Sequence, residues 1–379
     1  MKTGIYIHIP FCKSRCIYCG FFSTTSLDWQ SRYTSAVVKE LQMRRDEPCL
    51  FDEEGGANTI ATLYFGGGTP SSLHIEELEK IVNAVREYYH VKALEEFTVE
   101  VNPDDVTPDF IKNLRRLGVD RVSMGIQTFD DKRLQFLHRR HTAAEACAAV
   151  KTVRASGISN VSIDLMYGFP GESLAHWRQD VETAMSLHPD HISAYSLMYE
   201  EKTLLKRMLD KGEIESLDDE TCLEMYTFLA NTLRANGYEH YEISNFCLPG
   251  KKAKHNSSYW NGTPYLGFGA AAHSYTIDRR SWNVANLSTY IKSIENGVLP
   301  SEHEEIDEDT HYNDLITTSM RTREGLDLKS LTPEYRDYAL CNAKRALDGK
   351  LLEIYDDHLR LTRDGVFVSD GVMSDLIKI

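Results

Sequence analysis

The stretch that decides the fold reads Tyr6-Ile7-His8-Ile9-Pro10-Phe11-Cys12-Lys13-Ser14-Arg15-Cys16-Ile17-Tyr18-Cys19. Its first part ends a strand-like run, Gly4-Ile9, and its second carries Cys12, Cys16 and Cys19 in CxxxCxxC spacing. Three thiolates can hold three irons of a 4Fe-4S cluster, because soft sulfur suits iron-sulfur chemistry, and the fourth iron is left for a small molecule. The loop must be short, since the three sulfurs converge on one cuboidal cluster. On spacing alone two alternatives stand beside it. One is a structural zinc site built from the pair Cys16 and Cys19 plus Cys12, with His8 an optional further ligand; the other is accidental clustering.

Composition sets the frame around that loop. A chain of 379 residues accommodates one large domain and a smaller one. Its 42% hydrophobic and 26% charged residues are those of an ordinary soluble globular protein. A formal charge of -15 argues against a nucleic-acid partner, since tracking phosphates needs clustered Lys and Arg, although Lys251-Lys252-Ala253-Lys254 is locally basic. Met1-Lys2-Thr3 runs straight into a strand with no signal peptide, and no apolar run reaches transmembrane length, so a cytoplasmic location is expected. The scattered Cys49, Cys147, Cys222, Cys247 and Cys341 then read as small core or surface residues rather than ligands.

Beyond the first strand, β-rich runs at Thr62-Gly66, Glu96-Val101, Arg121-Ile126, Val161-Leu165 and His191-Leu197 alternate with amphipathic stretches such as Glu76-Tyr88 and Thr142-Ala155. Pro108 and Gly118 bound a helix over Asp109-Leu117. Six strand-helix units predict an α/β fold with a parallel sheet and right-handed crossovers, two units short of a closed barrel: a partial (β/α)6 TIM-type barrel. After about residue 200 the rhythm changes. A helix is expected over Glu220-Ala235 and a short strand at Tyr241-Phe246. His255-Tyr275 reads as a loop, and the acidic Ser301-Asp309 as a linker. Helices at Tyr312-Thr322 and Tyr335-Asp348, a hairpin of Leu351-Tyr355 and His358-Thr362 around Asp356-Asp357, and a last helix at Asp364-Lys378 predict a winged-helix-like α+β module. The expected division is 1–235 for the barrel, 236–300 for a connecting segment and 301–379 for the C-terminal domain.

Residues of chemical interest gather at the carboxyl ends of the strands, the edge that carries active sites in barrels and open sheets. Gly66-Gly67-Gly68-Thr69-Pro70 lets a ligand approach exposed backbone, though a triple glycine serves a tight turn equally well. Glu100, Gln127, Arg139 and Asp164 are each as readily explained as solvated or salt-bridged side chains. Together they supply the basic group, the acceptors and the amide that a zwitterionic, ribose-bearing ligand needs. His255-Asn256-Ser257-Ser258-Tyr259-Trp260, with His273 near it in sequence, offers an exposed imidazole beside two large aromatics, a set able to ligate haem iron; a packed aromatic loop with a hydrogen-bonded histidine is the plainer alternative.

Taken together, Tyr6-Ile7-His8-Ile9-Pro10-Phe11-Cys12-x3-Cys16-x-Tyr18-Cys19, Gly66-Gly67-Gly68-Thr69-Pro70-Ser71, Glu100-x-Asn102-Pro103, Ser123-x-Gly125-x-Gln127 and Asp164-Leu165-Met166-Tyr167-Gly168-Phe169-Pro170-Gly171 resemble radical S-adenosylmethionine (SAM) proteins. Within them the chain is similar to the group of the oxygen-independent coproporphyrinogen III dehydrogenase (HemN) and the haem chaperone HemW, over nearly its whole length. The resemblance implies a 4Fe-4S cluster on Cys12, Cys16 and Cys19 whose open iron binds the amino and carboxylate groups of SAM. It also implies a SAM pocket lined by Tyr6, Tyr18, Gly67, Gly68, Thr69, Glu100, Gln127, Arg139 and Asp164. The dehydrogenase branch carries a longer N-terminal extension and a fourth cysteine two positions after the third, where this chain has Phe21. The HNxxYW string of His255-Trp260 belongs to the chaperone branch, whereas Gly20 departs from that branch's usual Asp.

The implied function is a haem chaperone that carries haem as cargo, with His255 its ligand, and delivers it to an acceptor haemoprotein such as a respiratory one. Association with the membrane periphery, and a monomer or a dimer, are the expected settings. The enzymatic alternative is oxidative decarboxylation of coproporphyrinogen III by a radical generated from SAM. Radical modification of RNA is a third reading that the acidic charge disfavours.

Overall fold

Polar and apolar residues alternate along the leading strands, and that alternation sets the architecture. In the computed structural model, which describes residues 2–51, 56 and 58–379, six strands run parallel and in order: β1 (Lys2–Ile9), β2 (Thr59–Gly67), β3 (Glu96–Val101), β4 (Arg121–Gln127), β5 (Asn160–Tyr167) and β6 (His191–Ser196). One face carries Ile5, Ile7, Ile9, Phe65, Phe97, Val99, Val122, Met124, Ile163 and Ile192, all buried in the main apolar core. Successive residues on a strand point to opposite faces. The other face therefore carries Tyr6, His8, Thr62, Tyr64, Glu96, Glu100, Arg121, Ser123, Asp164 and His191. A parallel barrel usually fills its interior with branched apolar side chains. This one is polar inside.

The connecting helices cover the apolar face. Ile75–Tyr88 buries Leu78, Ile81, Val82 and Val85, and Pro108–Leu117 buries Ile111, Leu114 and Leu117. Pro108 occupies the first turn of its helix, Thr107 caps it by accepting from Phe110 N–H, and Gly118 ends it at φ 97°. Thr142 and Glu145 form a capping box that starts Ala143–Ala155.

Past the sixth strand the chain extends the sheet at both edges. A hairpin of β7 (Glu239–Glu242) and β8 (Asn245–Cys247) adds to β6, so Tyr241-Phe246 is two strands and a turn rather than one strand. On the far side, β9 (Tyr265–Phe268) pairs parallel with β1, followed by β10 (His273–Thr276), β11 (Arg279–Asn283) and β12 (Ser301–Glu305). The sheet has the order β12-β11-β10-β9-β1-β2-β3-β4-β5-β6-β8-β7, an open partial barrel with added strands at each end.

Two further segments differ from their expected structure. His255-Tyr275 is not a loop: it holds the helix Lys254–Trp260, all of β9 and the start of β10. Ser301-Asp309 is not a linker either. Its first five residues are an edge strand whose side chains all face solvent, which removes the apolar period that marks a buried strand.

The C-terminal residues build a second apolar core. A sheet of order β13-β15-β14 joins β13 (Leu326–Asp327), β14 (Leu352–Tyr355) and β15 (His358–Leu361). Asp356 and Asp357 both hold positive φ, 49° and 60°, as a tight two-residue hairpin turn requires. Helices Glu308–Ser319 and Pro333–Asp348 pack on it around Tyr312, Ile316, Ala339, Leu352 and Leu359. The expected last helix is broken at Val368 into Arg363–Phe367 and Ser369–Leu376.

Glu40 ties the added strands to the barrel. It is wholly buried on the helix Gln30–Met43 and accepts from Arg44 (3.1 Å), Asn283 (2.8 Å), Tyr290 (2.5 Å) and Gly269 N–H (2.9 Å). The buried Arg44 also donates to Gly267 O at 2.7 Å. Removing one partner of a buried charge pair strands the other, so Glu40→Ala should lower stability by about 3–5 kcal/mol. Denaturant unfolding measures it, and a loss below about 1 kcal/mol contradicts the assignment.

Candidate functional site

Cys12, Cys16 and Cys19 are half-buried and line one cavity of about 620 Å³ at the carboxyl ends of the strands. Backbone bonds fix the loop that carries them. Thr24 N–H donates to Pro10 O and Cys12 N–H to Thr24 O. At mid-loop, Ile17 is buried against Leu137, Met166, Phe169, Leu197 and Leu205, and its amide donates to Leu137 O. The loop thus reaches from β1 to the far side of the barrel mouth.

Polar donors stand at two of the sulfurs. Thr69 Oγ1 donates to Cys12 Sγ at 3.4 Å, and Arg139 Nη1 to Cys16 Sγ at 3.6 Å. Burial pushes the Cys12 and Cys19 thiols up. Thr69 and Arg139 pull back at Cys12, and the Phe21 amide and Arg15 do so at Cys19. A donor set of three thiols with cationic and hydroxyl support fits an iron-sulfur group.

The zinc alternative fares worse. His8 Nε2 is engaged with Phe22 O (3.0 Å) and Nδ1 with Tyr6 OH (3.2 Å), so neither ring nitrogen is free for a metal. Among the described residues no three His, Cys, Asp or Glu side chains are gathered around one point, the three cysteines included, so this observation does not separate zinc from a cluster.

Below the cysteines, the polar inner face forms the cavity wall. Register places Gly125 beside Asp164 and Glu100 beside Ser123. Glu100 accepts from Tyr64 OH at 2.6 Å and from Gly67 N–H at 3.2 Å. Burial, with Asp164 opposite, raises its carboxyl to about 7 despite those donors and the nearby Arg121 guanidinium. Asp164 is raised too, first by burial, while Ser193, Arg121 and Ser123 oppose the shift. Arg121 is itself buried, and its Nε and one Nη have no hydrogen-bond partner among the described residues. It acts as the fixed counter-charge beneath two carboxylates.

Two backbone features shape the opening. Gln127 sits at φ 72° beside a β-bulge in β4, a conformation that costs a non-glycine residue about 1–2 kcal/mol and turns its amide toward the cavity. Arg139 donates to Asn102 Oδ1 at 2.8 Å and to Gly125 O; a Cβ on Gly125 would lie 3.3 Å from Arg139 Nη2. The glycine turn after β2 is equally constrained. Gly67 holds φ 107°, and a Cβ on Gly68 would lie 2.8 Å from Ile9 O.

The cavity brings together Cys12, Cys16, Cys19, Tyr18, Gly67, Gly68, Thr69, Glu100, Gln127, Arg139 and Asp164. It leaves out two expected residues. Tyr6 faces a second cavity and stacks on Tyr64 at 6.0 Å.

His255 is not exposed, as expected from sequence, but wholly buried. Glu96 caps its helix, accepting from Lys254 N–H (2.7 Å) and His255 N–H (3.0 Å), and so draws the helix against the polar face of the barrel. The imidazole stacks on Tyr64 at 5.1 Å and engages Thr62 Oγ1 (2.8 Å) and Tyr259 OH (3.1 Å). Burial, with Arg121 near, lowers it to about 3. It is a neutral, doubly bonded packing residue, and no ring nitrogen is open to iron.

Sequence reasoning passed over other members of the site. Asn102, which orients Arg139, stood inside the Glu100-x-Asn102-Pro103 string without a role. Ser123, Met166 and Tyr195 also line the cavity. Their inward alternation along the strands was the available signal.

The model of the radical SAM superfamily matches residues 6–184. The chain is 34% identical to the heme chaperone HemW of Mycobacterium tuberculosis (strain H37Rv), over 99% of this chain and 94% of that protein. It is also 34% identical to the heme chaperone HemW of Bacillus subtilis (strain 168), over 94% of this chain and 91% of that one. Among solved structures it resembles coproporphyrinogen III oxidase (HemN) from Escherichia coli with a TM-score of 0.85 at 20% identity, over 100% of this chain and 90% of that one, a likeness of fold.

Proposed function

Since the chain belongs to the radical SAM superfamily, and within it to the HemN/HemW group, we propose that it is a haem chaperone, binding haem and delivering it to acceptor haemoproteins. The observation that carries this reading is end-to-end similarity to two bacterial HemW proteins. Phe21, at the position where the dehydrogenase branch carries a fourth cysteine, favours it further.

Cys12, Cys16 and Cys19 would hold the 4Fe-4S cluster, and Tyr18, Gly67, Gly68, Thr69, Glu100, Gln127, Arg139 and Asp164 would bind SAM. When bound, this pair supplies one-electron chemistry that the protein itself lacks. The chain's own part is binding and orientation. Arg139 and Thr69 stabilise the sulfurs, the glycine turn presents backbone, and the buried carboxylates attract a cationic ligand. No described helix is long and apolar enough to cross a membrane. The cytoplasm, with a respiratory haemoprotein as acceptor, is the proposed setting.

Glu100 makes SAM binding pH-dependent. Its carboxyl is raised to about 7, so below that pH it is neutral and offers less to a sulfonium and an ammonium group. Affinity should weaken as pH falls below 7, by at most about tenfold per unit, and level off above it. Calorimetric titration between pH 5.5 and 8 reads this, and Glu100→Gln should flatten the profile; an unchanged slope in that variant removes Glu100 from the account.

The chaperone reading is tested by anaerobic incubation of the reconstituted chain with SAM, reductant and coproporphyrinogen III. No protoporphyrinogen is expected. Its formation at catalytic turnover establishes the enzymatic reading instead.

A further inference from the structure

A second cavity, of about 520 Å³, lies beside the first and shares Gly20 and Phe21 with it. Its walls come from β1, β9, β10 and the helix Lys254–Trp260, through Tyr6, His8, Tyr259, Tyr265 and His273. The volume is that of a small-molecule site, typically about 300–1,000 Å³. Its wall is aromatic, and Phe21 stands 70% exposed at its junction with the cysteine cavity.

Two histidines reach it, and they differ. His8 is held at both nitrogens by Tyr6 and Phe22. His273 is exposed on its strand. The ring is positioned nonetheless, stacked on Trp282 of the neighbouring strand at 6.1 Å and 30°. Partial burial lowers its pKa, so the imidazole is neutral and its lone pair available near pH 7.

We propose that this side cavity is the haem seat and that His273, rather than His255, is the axial ligand to the iron. The proposal rests on the haem-chaperone reading and deepens it. A planar macrocycle suits a cavity lined by tyrosine and phenylalanine rings, and a neutral imidazole at the rim suits its iron. The HNxxYW helix then serves the site in a different way from that expected. Tyr259 lines the cavity, while His255 holds the helix in place from beneath through its bond to the Tyr259 hydroxyl. Shared walls at Gly20 and Phe21 put the haem seat against the cysteine loop, so that occupancy of one cavity bears on the other.

The experiment is an absorbance and electron paramagnetic resonance titration of the reconstituted full chain with haemin. Wild type is compared with His273→Ala, His273→Gln and His255→Ala. Iron-sulfur content and SAM affinity report whether each variant is folded, and the glutamine variant stands in should the alanine variant fail that check. In wild type an imidazole-ligated haem spectrum is expected. Loss of the histidine signature in the His273 variants, with at least tenfold weaker binding and recovery of the spectrum on adding free imidazole, supports the proposal. A His273 variant with the wild-type spectrum and affinity overturns it, as does loss of the histidine signature in His255→Ala alone. Failure of folded wild type to bind haem at all overturns the chaperone reading, and this proposal with it.

Discussion

The Cys16→Ala variant is expected to leave anaerobic reconstitution with its iron at background and its SAM binding abolished. Three thiolates are the fewest that hold a site-differentiated cluster, so loss of one removes the assembly. Cys16 is also where Arg139 meets sulfur, at 3.6 Å, so the guanidinium loses its sulfur partner while it keeps Asn102 and Gly125. The fold should persist. The cysteine loop is anchored by buried Ile17 rather than by the cysteine, which is only half-buried. Iron and sulfide analysis beside circular dichroism separates the two effects. A folded variant that keeps a full complement of iron contradicts the ligand assignment, and Cys12→Ala and Cys19→Ala should behave alike.

Gly67→Ala should cost SAM affinity about 100-fold or more, some 2.7 kcal/mol. The residue holds φ 107°, where a side chain is strained, and its Cβ would lie 2.5 Å from the His8 ring. That ring has no room to retreat, because Tyr6 and Phe22 hold both its nitrogens. The turn must move instead, and with it the amide that donates to Glu100. The cysteines lie on another loop, so iron incorporation should survive. Unaltered SAM affinity in this variant would mean that the glycine turn serves only the chain's own path.

Much of this arrangement was legible in the amino-acid order, for physical reasons that can be named. Parallel strands joined by helices announce themselves through a change of period, and all six barrel strands fall where the β-rich runs stand. The cysteine loop and the glycine turn were legible because each needs particular residues at fixed spacing. What the order of residues concealed depends on tertiary contact. Ser301–Glu305 has no apolar face because it is an exposed edge, so nothing in its pattern marks a strand. His255 in a motif gave no sign of its burial, which follows from Glu96, 159 residues earlier, capping its helix. Arg121 lies among ordinary β residues, and only the assembly of the sheet turns it into a buried counter-charge to Glu100 and Asp164. Tyr6 sits in the leading motif, yet strand alternation and the pairing of β9 with β1 direct it to the second cavity.

The proposed function makes one central claim: the chain carries haem while holding a SAM-bound iron-sulfur cluster. Equilibrium titration of the anaerobically reconstituted, SAM-loaded chain with haem tests it most directly. The account predicts saturable binding of one haem per chain, with the cluster absorbance retained. Absence of saturable haem binding by folded, cluster-replete protein would contradict it.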